Sequence, residues 1–495
     1  MPNILMIHME SWDGRMLGCQ GHHPAMRDAT PAIDALAARG VRFTNAYCTN
    51  PICCPSRANM LSGTYTHECE SWNNFKGLET GMWTYAAALE HAGYELKLLG
   101  KHDDYLTGHH SVMNRVADML EPLNDRHLPV MNEDEAQGIE ILPGRDRRCH
   151  ESDWRMFDEA REFLLDRSGS AAARRPFFLC LNPGLVHAAF RTNEYWLDTI
   201  PAHLVDVPPV DDTDHPAHVY QLHSKAWRQG LDDETVRRVR RVYFAMCAEA
   251  DAMVGELLQA LEDSGRGADT TVIFSGDHGE LAMEHQQYYK MSHFEASVRV
   301  PLILAGPGIT SGLVVEEPVS LIDIAPTICD LAGLPRRPNL SGESLLPTAR
   351  GETTAGRGWA LATYCGLTSN TMSHMVRKGD YKLIVYEGNP SRLFNLTVDP
   401  QELNDLANDE PAVVRELESL LNEQVDRSLT LEIWTDYRRH TFAQFQRQAK
   451  RSLYWDSSYG LRGNPSSDYR TLMDNTFTGW NDADEARVKR WLEEG

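Results

Sequence analysis

Short apolar runs alternate with stretches of helical spacing along most of this chain, and that alternation admits few architectures. Asn3 to Met9 reads as a buried strand, and Thr30-Pro31 opens a helix that Gly40 ends before a second strand, Val41 to Ala46. A helix from Trp83 to Ala92 is stopped by Gly93 and followed by the strand Tyr94 to Leu99. Helix Trp154 to Asp166, strand Phe177 to Asn182, a long helix from Asp233 to Ser264 and strand Thr271 to Ser275 continue the pattern. In the long helix Val236, Val239, Tyr243, Met246, Ala250, Met253 and Leu257 recur at helical spacing and mark a face packed on a sheet. The expected fold is α/β, a large, mostly parallel sheet sandwiched by helices.

The 495 residues exceed one ordinary core, so a smaller C-terminal α+β subdomain is expected beside the large domain. After Gly351 the alternation weakens. Tyr381 to Tyr386 with Arg392 to Leu396 suggests a small antiparallel sheet, and Ala412 to Leu429 its helix. The boundaries read as 1–355 for the large α/β domain, 356–440 for the subdomain and 441–495 for a tail. That tail, without clear periodicity, is expected to pack on the body or on a second subunit of a homo-oligomer.

Forty-eight Lys and Arg against 71 Asp and Glu give 48 − 71 = −23, which argues against nucleic acid or an anionic membrane as partner. An anionic substrate must then be drawn by a local cationic pocket. The opening Met1-Pro2-Asn3 enters an apolar run with no basic region or cleavage site, and no membrane span follows. Ten cysteines are scattered without framework spacing, as in a reducing cytoplasm, the expected location.

In open α/β sheets, loops at the carboxyl ends of strands build the site. Glu10, Lys101, His187 and Asp277 all fall there. Pro51-Ile52-Cys53-Cys54-Pro55-Ser56-Arg57 is the most specific stretch. Two buried thiols in a turn are its bland reading, and zinc is disfavoured by the lack of a C-x-x-C. Pro55 to Leu61 reads as the first turns of a helix, whose N-terminus favours an anion beside Cys53.

This stretch, with Ala58-Asn59-Met60-Leu61-Ser62-Gly63 after it, resembles the C-x-P-S-R motif of the formylglycine-dependent sulfatases of the alkaline phosphatase superfamily. The resemblance implies that a formylglycine-generating enzyme oxidises Cys53 to an aldehyde, with Arg57 closing the motif. Ser275-Gly276-Asp277-His278-Gly279-Glu280 resembles the family's metal element, so Asp277 and His278 are expected to bind a divalent cation together with a hydroxyl of the converted Cys53. Glu10 aligns with a metal-binding carboxylate, while Ser11 stands where a second is common. Ca²⁺ is the expected ion from the resemblance, and the imidazole admits Mn²⁺. Leu99-Gly100-Lys101 and the segment Glu284 to Lys290 resemble the elements carrying two sulfate-binding lysines, Lys101 and Lys290, and Val186-His187-Ala188 matches a histidine that contacts the formylglycine hydrate. Asp103 replaces the family's usual histidine, and His109 in Gly108-His109-His110-Ser111 is the candidate to fill that role.

Glu70 to Leu78, Gly108 to Arg115, Ala245 to Glu249 and His278 to His285 are similar to the branch of the family that removes the 2-sulfate of glucuronate. That similarity implies a small sulfated saccharide as substrate. Trp72, Asn73, Asn74 and Lys76 are expected to offer a stacking face and hydrogen bonds to the sugar, with His110 and Arg115 as further contacts. Two rivals stand: a phosphonate monoester or phosphodiester hydrolase of the same superfamily, and an inactive sulfatase scaffold that binds carbohydrate.

Overall fold

The computed structural model describes residues 1–102, 119–120, 139–166, 175–224, 230–353, 356–449, 469–477 and 479–494. Strands β1 (Asn3–Met9), β2 (Val41–Phe43), β3 (Glu95–Gly100), β4 (Phe177–Asn182), β5 (Thr270–Gly276), β6 (Leu302–Ala305) and β7 (Leu313–Val315) form one sheet in the order β7-β2-β6-β5-β1-β4-β3. Only β6 runs against its neighbours, so the sheet is mostly parallel.

Period-2 alternation sends β1 side chains to both faces. Leu5, Ile7 and Met9 join a core with helices α1 (Pro31–Ala38), α4 (Glu151–Leu165) and α5 (Asp233–Asp263). Ile4 and Met6 enter the opposite core with α2 (Cys53–Ser62), α3 (Tyr85–His91) and α6 (Ile324–Leu331). Both faces are therefore covered, as strands of continuous apolar character require. The helix α5 is started by Asp232, whose carboxylate accepts from the Thr235 amide at 2.7 Å. Its expected apolar face is buried throughout, each large side chain contributing roughly 2 kcal/mol.

The strand expected from Val41 to Ala46 is broken. Thr44 and Asn45 carry the chain out of the large sheet, and Ala46–Tyr47 pairs in a separate three-stranded sheet with Arg299–Val300 and Val319–Ser320. A four-stranded antiparallel sheet follows, β8 (Trp359–Tyr364), β9 (Ser373–Lys378), β10 (Tyr381–Tyr386) and β11 (Arg392–Asn395), of which the sequence announced only the last two. Helix α7 (Pro411–Gln424) lays Leu417 and Leu421 on Val376, Leu383 and Leu393. The single helix expected to Leu429 is two, because Val425 is extended before α8 (Arg427–Ala449) begins. Beyond Thr441 the chain is helical to Ala449 and again over Tyr469–Thr476 and Asp482–Glu493, and Phe442, Phe445, Met473 and Trp480 are buried. No helix among the described residues is long and apolar enough to cross a membrane.

Candidate active site

Four consecutive strands, β5-β1-β4-β3, end at one edge of the sheet, and their register brings Gly276 beside Met9 and Asn182 beside Gly100. The residues that follow these ends, Asp277, Glu10, His187 and Lys101, are thereby gathered by the sheet itself. Gly100 lets β3 come this close: with φ of 90°, a Cβ there would stand 2.1 Å from the Asn182 carbonyl oxygen.

Cys53 is the first residue of α2, two residues earlier than Pro55 suggested, and its side chain is fully buried. Its Sγ lies 3.3 Å from Glu10 Oε1 and 3.2 Å from His278 Nε2. Ligand atoms of Glu10, Cys53, Asp277 and His278 all fall within 4.8 Å of one another. The arrangement suits a divalent cation. The His278 Nδ1 sits 2.9 Å from the Gly279 carbonyl, to which it can only donate, and this leaves the Nε2 lone pair for a metal. Burial would raise the Asp277 carboxyl, but the neighbouring Arg57 guanidinium outweighs it and holds it down to about 2, so the carboxylate is ionised and able to ligate.

Arg57 donates through Nε to Asp277 Oδ2 at 2.9 Å and through Nη1 to Asn182 Oδ1 at 2.8 Å. At 1% exposure it braces the carboxylate from behind. The Ser11 and His278 amides donate to Asp277 Oδ1 at 3.1 and 2.8 Å. Lys101 Nζ pairs with Glu10 Oε1, from which His187 Nε2 stands 3.9 Å away. Lys290 Nζ meets that same His187 Nε2, while His187 Nδ1 contacts the Ala188 carbonyl. The site is therefore a buried carboxylate-imidazole cup rimmed by two lysines, able to hold a metal and an anion together.

The structure redistributes the expected sugar contacts. Trp72 cannot offer a stacking face, being wholly buried against Cys365, Met372 and Trp434. Asn73 Oδ1 closes a turn on the Phe75 amide at 3.0 Å, and Asn74 Oδ1 accepts from the Cys54 amide at 2.9 Å, bracing the turn that carries Cys53. Lys76 is ion-paired with Glu70 and Glu79 and sits over the Tyr437 ring. His109, His110 and Arg115 lie outside the described residues.

Two buried groups beside the site carried no role in the sequence reading. His8 Nδ1 lies 2.7 Å from Ser275 Oγ, and burial with the Arg57 charge pushes it down to about 3, so it is neutral. Glu280 is buried in the loop after His278, where burial pushes it up to about 7. Its place directly after Asp-His-Gly was the only available signal. A second cluster, Cys149, His150 and Glu249, also has ligand atoms within 4.8 Å of one another. There Glu249 already accepts from the His150 amide and Trp154 Nε1 at 2.9 and 2.8 Å, and burial beside it pushes the Cys149 thiol up to about 12. Glu249 thus holds the residue that precedes α4, beside a thiol unready to ligate.

The sequence profile of the sulfatase family matches residues 2–334, and one described as N-sulphoglucosamine sulphohydrolase, C-terminal, matches residues 283–429. With this fold and site, the chain belongs to the sulfatase family and is a sulfuric ester hydrolase. Within it the chain is similar to arylsulfatase K: 38% identical to that of Danio rerio over 450 residues, covering 86% of this chain and 84% of the relative. It is 37% identical to that of Homo sapiens over 458 residues, covering 86% and 82%. Among solved structures, a phosphonate monoester hydrolase of Agrobacterium radiobacter aligns with a TM-score of 0.67 at 23% identity, covering 86% of this chain and 96% of its own. A 2-O GAG sulfatase aligns with a TM-score of 0.66 at 24% identity, covering 86% and 92%. At these identities the structures attest the shared fold alone.

Proposed function

We propose that this enzyme hydrolyses a sulfate monoester of a small 2-sulfated glucuronate saccharide, through a formylglycine made from Cys53 and a divalent metal, with Ca²⁺ ahead of Mn²⁺. The observation that carries the reading is the position of Cys53 Sγ, between Glu10 and His278 at the head of α2. A converted residue 53 would supply a geminal diol, the chemistry that accepts a sulfuryl group from the ester and releases it as sulfate with return of the aldehyde. Glu10, Asp277 and His278, with a hydroxyl of the converted residue 53, would hold the metal, which would supply Lewis acidity toward an ester that is fully ionised.

The remaining work falls to side chains of residues 1–355. Lys101 and Lys290 offset the charge on the sulfate oxygens, and Arg57 acts through Asp277, which it holds ionised and in place. His187, whose Nδ1 is directed at the Ala188 carbonyl, takes the proton of the second hydroxyl at Nε2 once Lys290, which meets that nitrogen here, turns to the sulfate. A histidine or lysine protonates the departing alcohol, His109 being the candidate from sequence. A formylglycine-generating enzyme is the implied maturation partner, and the scattered cysteines are the ground for a reducing compartment.

The uronate rests on the similarity of residues 70–78, 108–115, 245–249 and 278–285 to the glucuronate-2-sulfatase branch. With Lys76 paired internally, His109, His110 and Arg115 remain to meet the sugar carboxylate. The test compares 2-sulfated glucuronate with a 2-sulfated neutral hexose and with phenyl phosphonate. The uronate is expected to show the highest kcat/KM. Equal values for the two sugars sink the uronate, and preferred turnover of the phosphonate sinks the sulfate ester as the favoured substrate.

A further inference from the structure

The segment that delivers Lys290 has an uncommon backbone. Ala282, Met283, His285, Gln286, Tyr289 and Met291 all have φ between 42° and 80°, a region disfavoured for residues with a Cβ. Such a run persists only where the surroundings over-determine it. Its bracing is explicit: the Leu281 amide donates to the Tyr289 carbonyl at 2.6 Å, the Met283 amide to the Gln287 carbonyl at 2.7 Å, and Arg240 Nη1 to the Ala282 carbonyl at 2.9 Å. The Met291 amide then donates to the Pro51 carbonyl at 3.1 Å, joining the loop to the turn before Cys53.

One side chain ties the two ends of this loop together. Glu280, 1% exposed, accepts through Oε1 from the Ala282 amide at 3.1 Å and from the Tyr289 amide at 2.5 Å. Tyr289 immediately precedes Lys290, whose Nζ meets His187. We infer that Glu280 is a positioning residue, its carboxylate clamping residues 282–289 into a closed loop so that Lys290 is fixed against His187 at the mouth of the site. The inference rests on Lys290 binding the sulfate group.

Reach and charge separate this role from simple electrostatic support. Glu280→Gln keeps an oxygen that can accept from both amides, whereas Glu280→Asp keeps the charge but is one methylene too short to span them. With an aryl sulfate as probe and fully converted enzyme, Glu280→Asp is expected to lose about 100-fold in kcat/KM, the scale of a reacting group displaced by about 1 Å. Glu280→Gln is expected to stay within about threefold, as retained geometry implies. In a Lys290→Ala background the Asp substitution should cost less than about threefold, because its effect passes through Lys290. Metal content should match the parent chain in both Glu280 variants. A Gln variant as damaged as the Asp variant, or an Asp loss that persists undiminished without Lys290, overturns the clamp while leaving the lysine's role standing. If Lys290→Ala alone turns over as fast as the parent, the sulfate-binding reading of that lysine falls, and the clamp with it.

Discussion

Cys53 and Cys54 are neighbours with different fates, and the structure says why. Cys53 Sγ faces Glu10 and His278, whereas Cys54 enters the site through its backbone amide, which Asn74 holds. Cys53→Ser is expected to lower turnover by at least ~1000-fold, the scale of losing a nucleophile, and Cys54→Ala to keep most of it. Steady-state assay of both variants on an aryl sulfate checks the contrast. Asp277→Asn is expected to weaken divalent-metal binding by at least ~100-fold, measured by metal titration of the stripped protein, since it removes the charge of the proposed ligand and the partner of Arg57 together. Cys53 and Asp277 stand out in the sequence because each sits in a short motif, the first at the head of a helix and the second at the end of a strand. Trp72 was misread, since its burial is decided by Cys365 and Trp434, far along the chain. The clamp of Glu280 was illegible for a related reason: it depends on where two backbone amides point, and no local pattern of residue types records that.

At the scale of elements, the long helix α5 is more than packing. Tyr243 on its buried face donates its hydroxyl to the Ser11 carbonyl at 3.1 Å and accepts from the Asp13 amide at 3.0 Å, fixing the turn that follows Glu10. Ser11 itself has φ of 58°. Tyr243→Phe is expected to cost about 1–3 kcal/mol in urea unfolding, because it strands a buried amide, and to loosen metal binding as the Glu10 turn relaxes. Periodicity found α5 because a helix face packed on a sheet repeats its apolar residues over many turns. It could not find the break after Phe43, where two residues decide which sheet the chain joins. It also passed over β8 and β9, whose interior carries buried polar residues such as Thr363, His374 and Arg377.

At the scale of the whole molecule, the C-terminal sheet is bound to the catalytic domain by a buried ionic knot. Lys382 of β10 pairs with Glu295 at 3.0 Å and with Glu402, while Tyr47 donates to Glu295 Oε2 at 3.1 Å. Lys382, Arg299 and Arg377 outweigh burial and hold the Glu295 carboxyl down to about 2, while burial and the neighbouring Glu295 charge push Glu402 up. A carboxyl depressed on folding stabilises the protein above its unfolded value of 4.5, and that contribution is lost as pH falls toward 2. Urea unfolding is therefore expected to show an acid limb in this window that Glu295→Gln flattens. Lys382→Met, leaving two buried carboxylates without their shared cation, is expected to cost about 3–5 kcal/mol. The burial of Cys53 carries a last consequence, one of timing. A thiol sealed at 0% exposure cannot be reached by another enzyme once the sheet, α2 and the loop from Glu280 to Met291 have closed over it. If residue 53 is remade, the remaking belongs to the chain's youth: maturation enzyme added to folded protein should leave it inert, and the same enzyme present during refolding should awaken it.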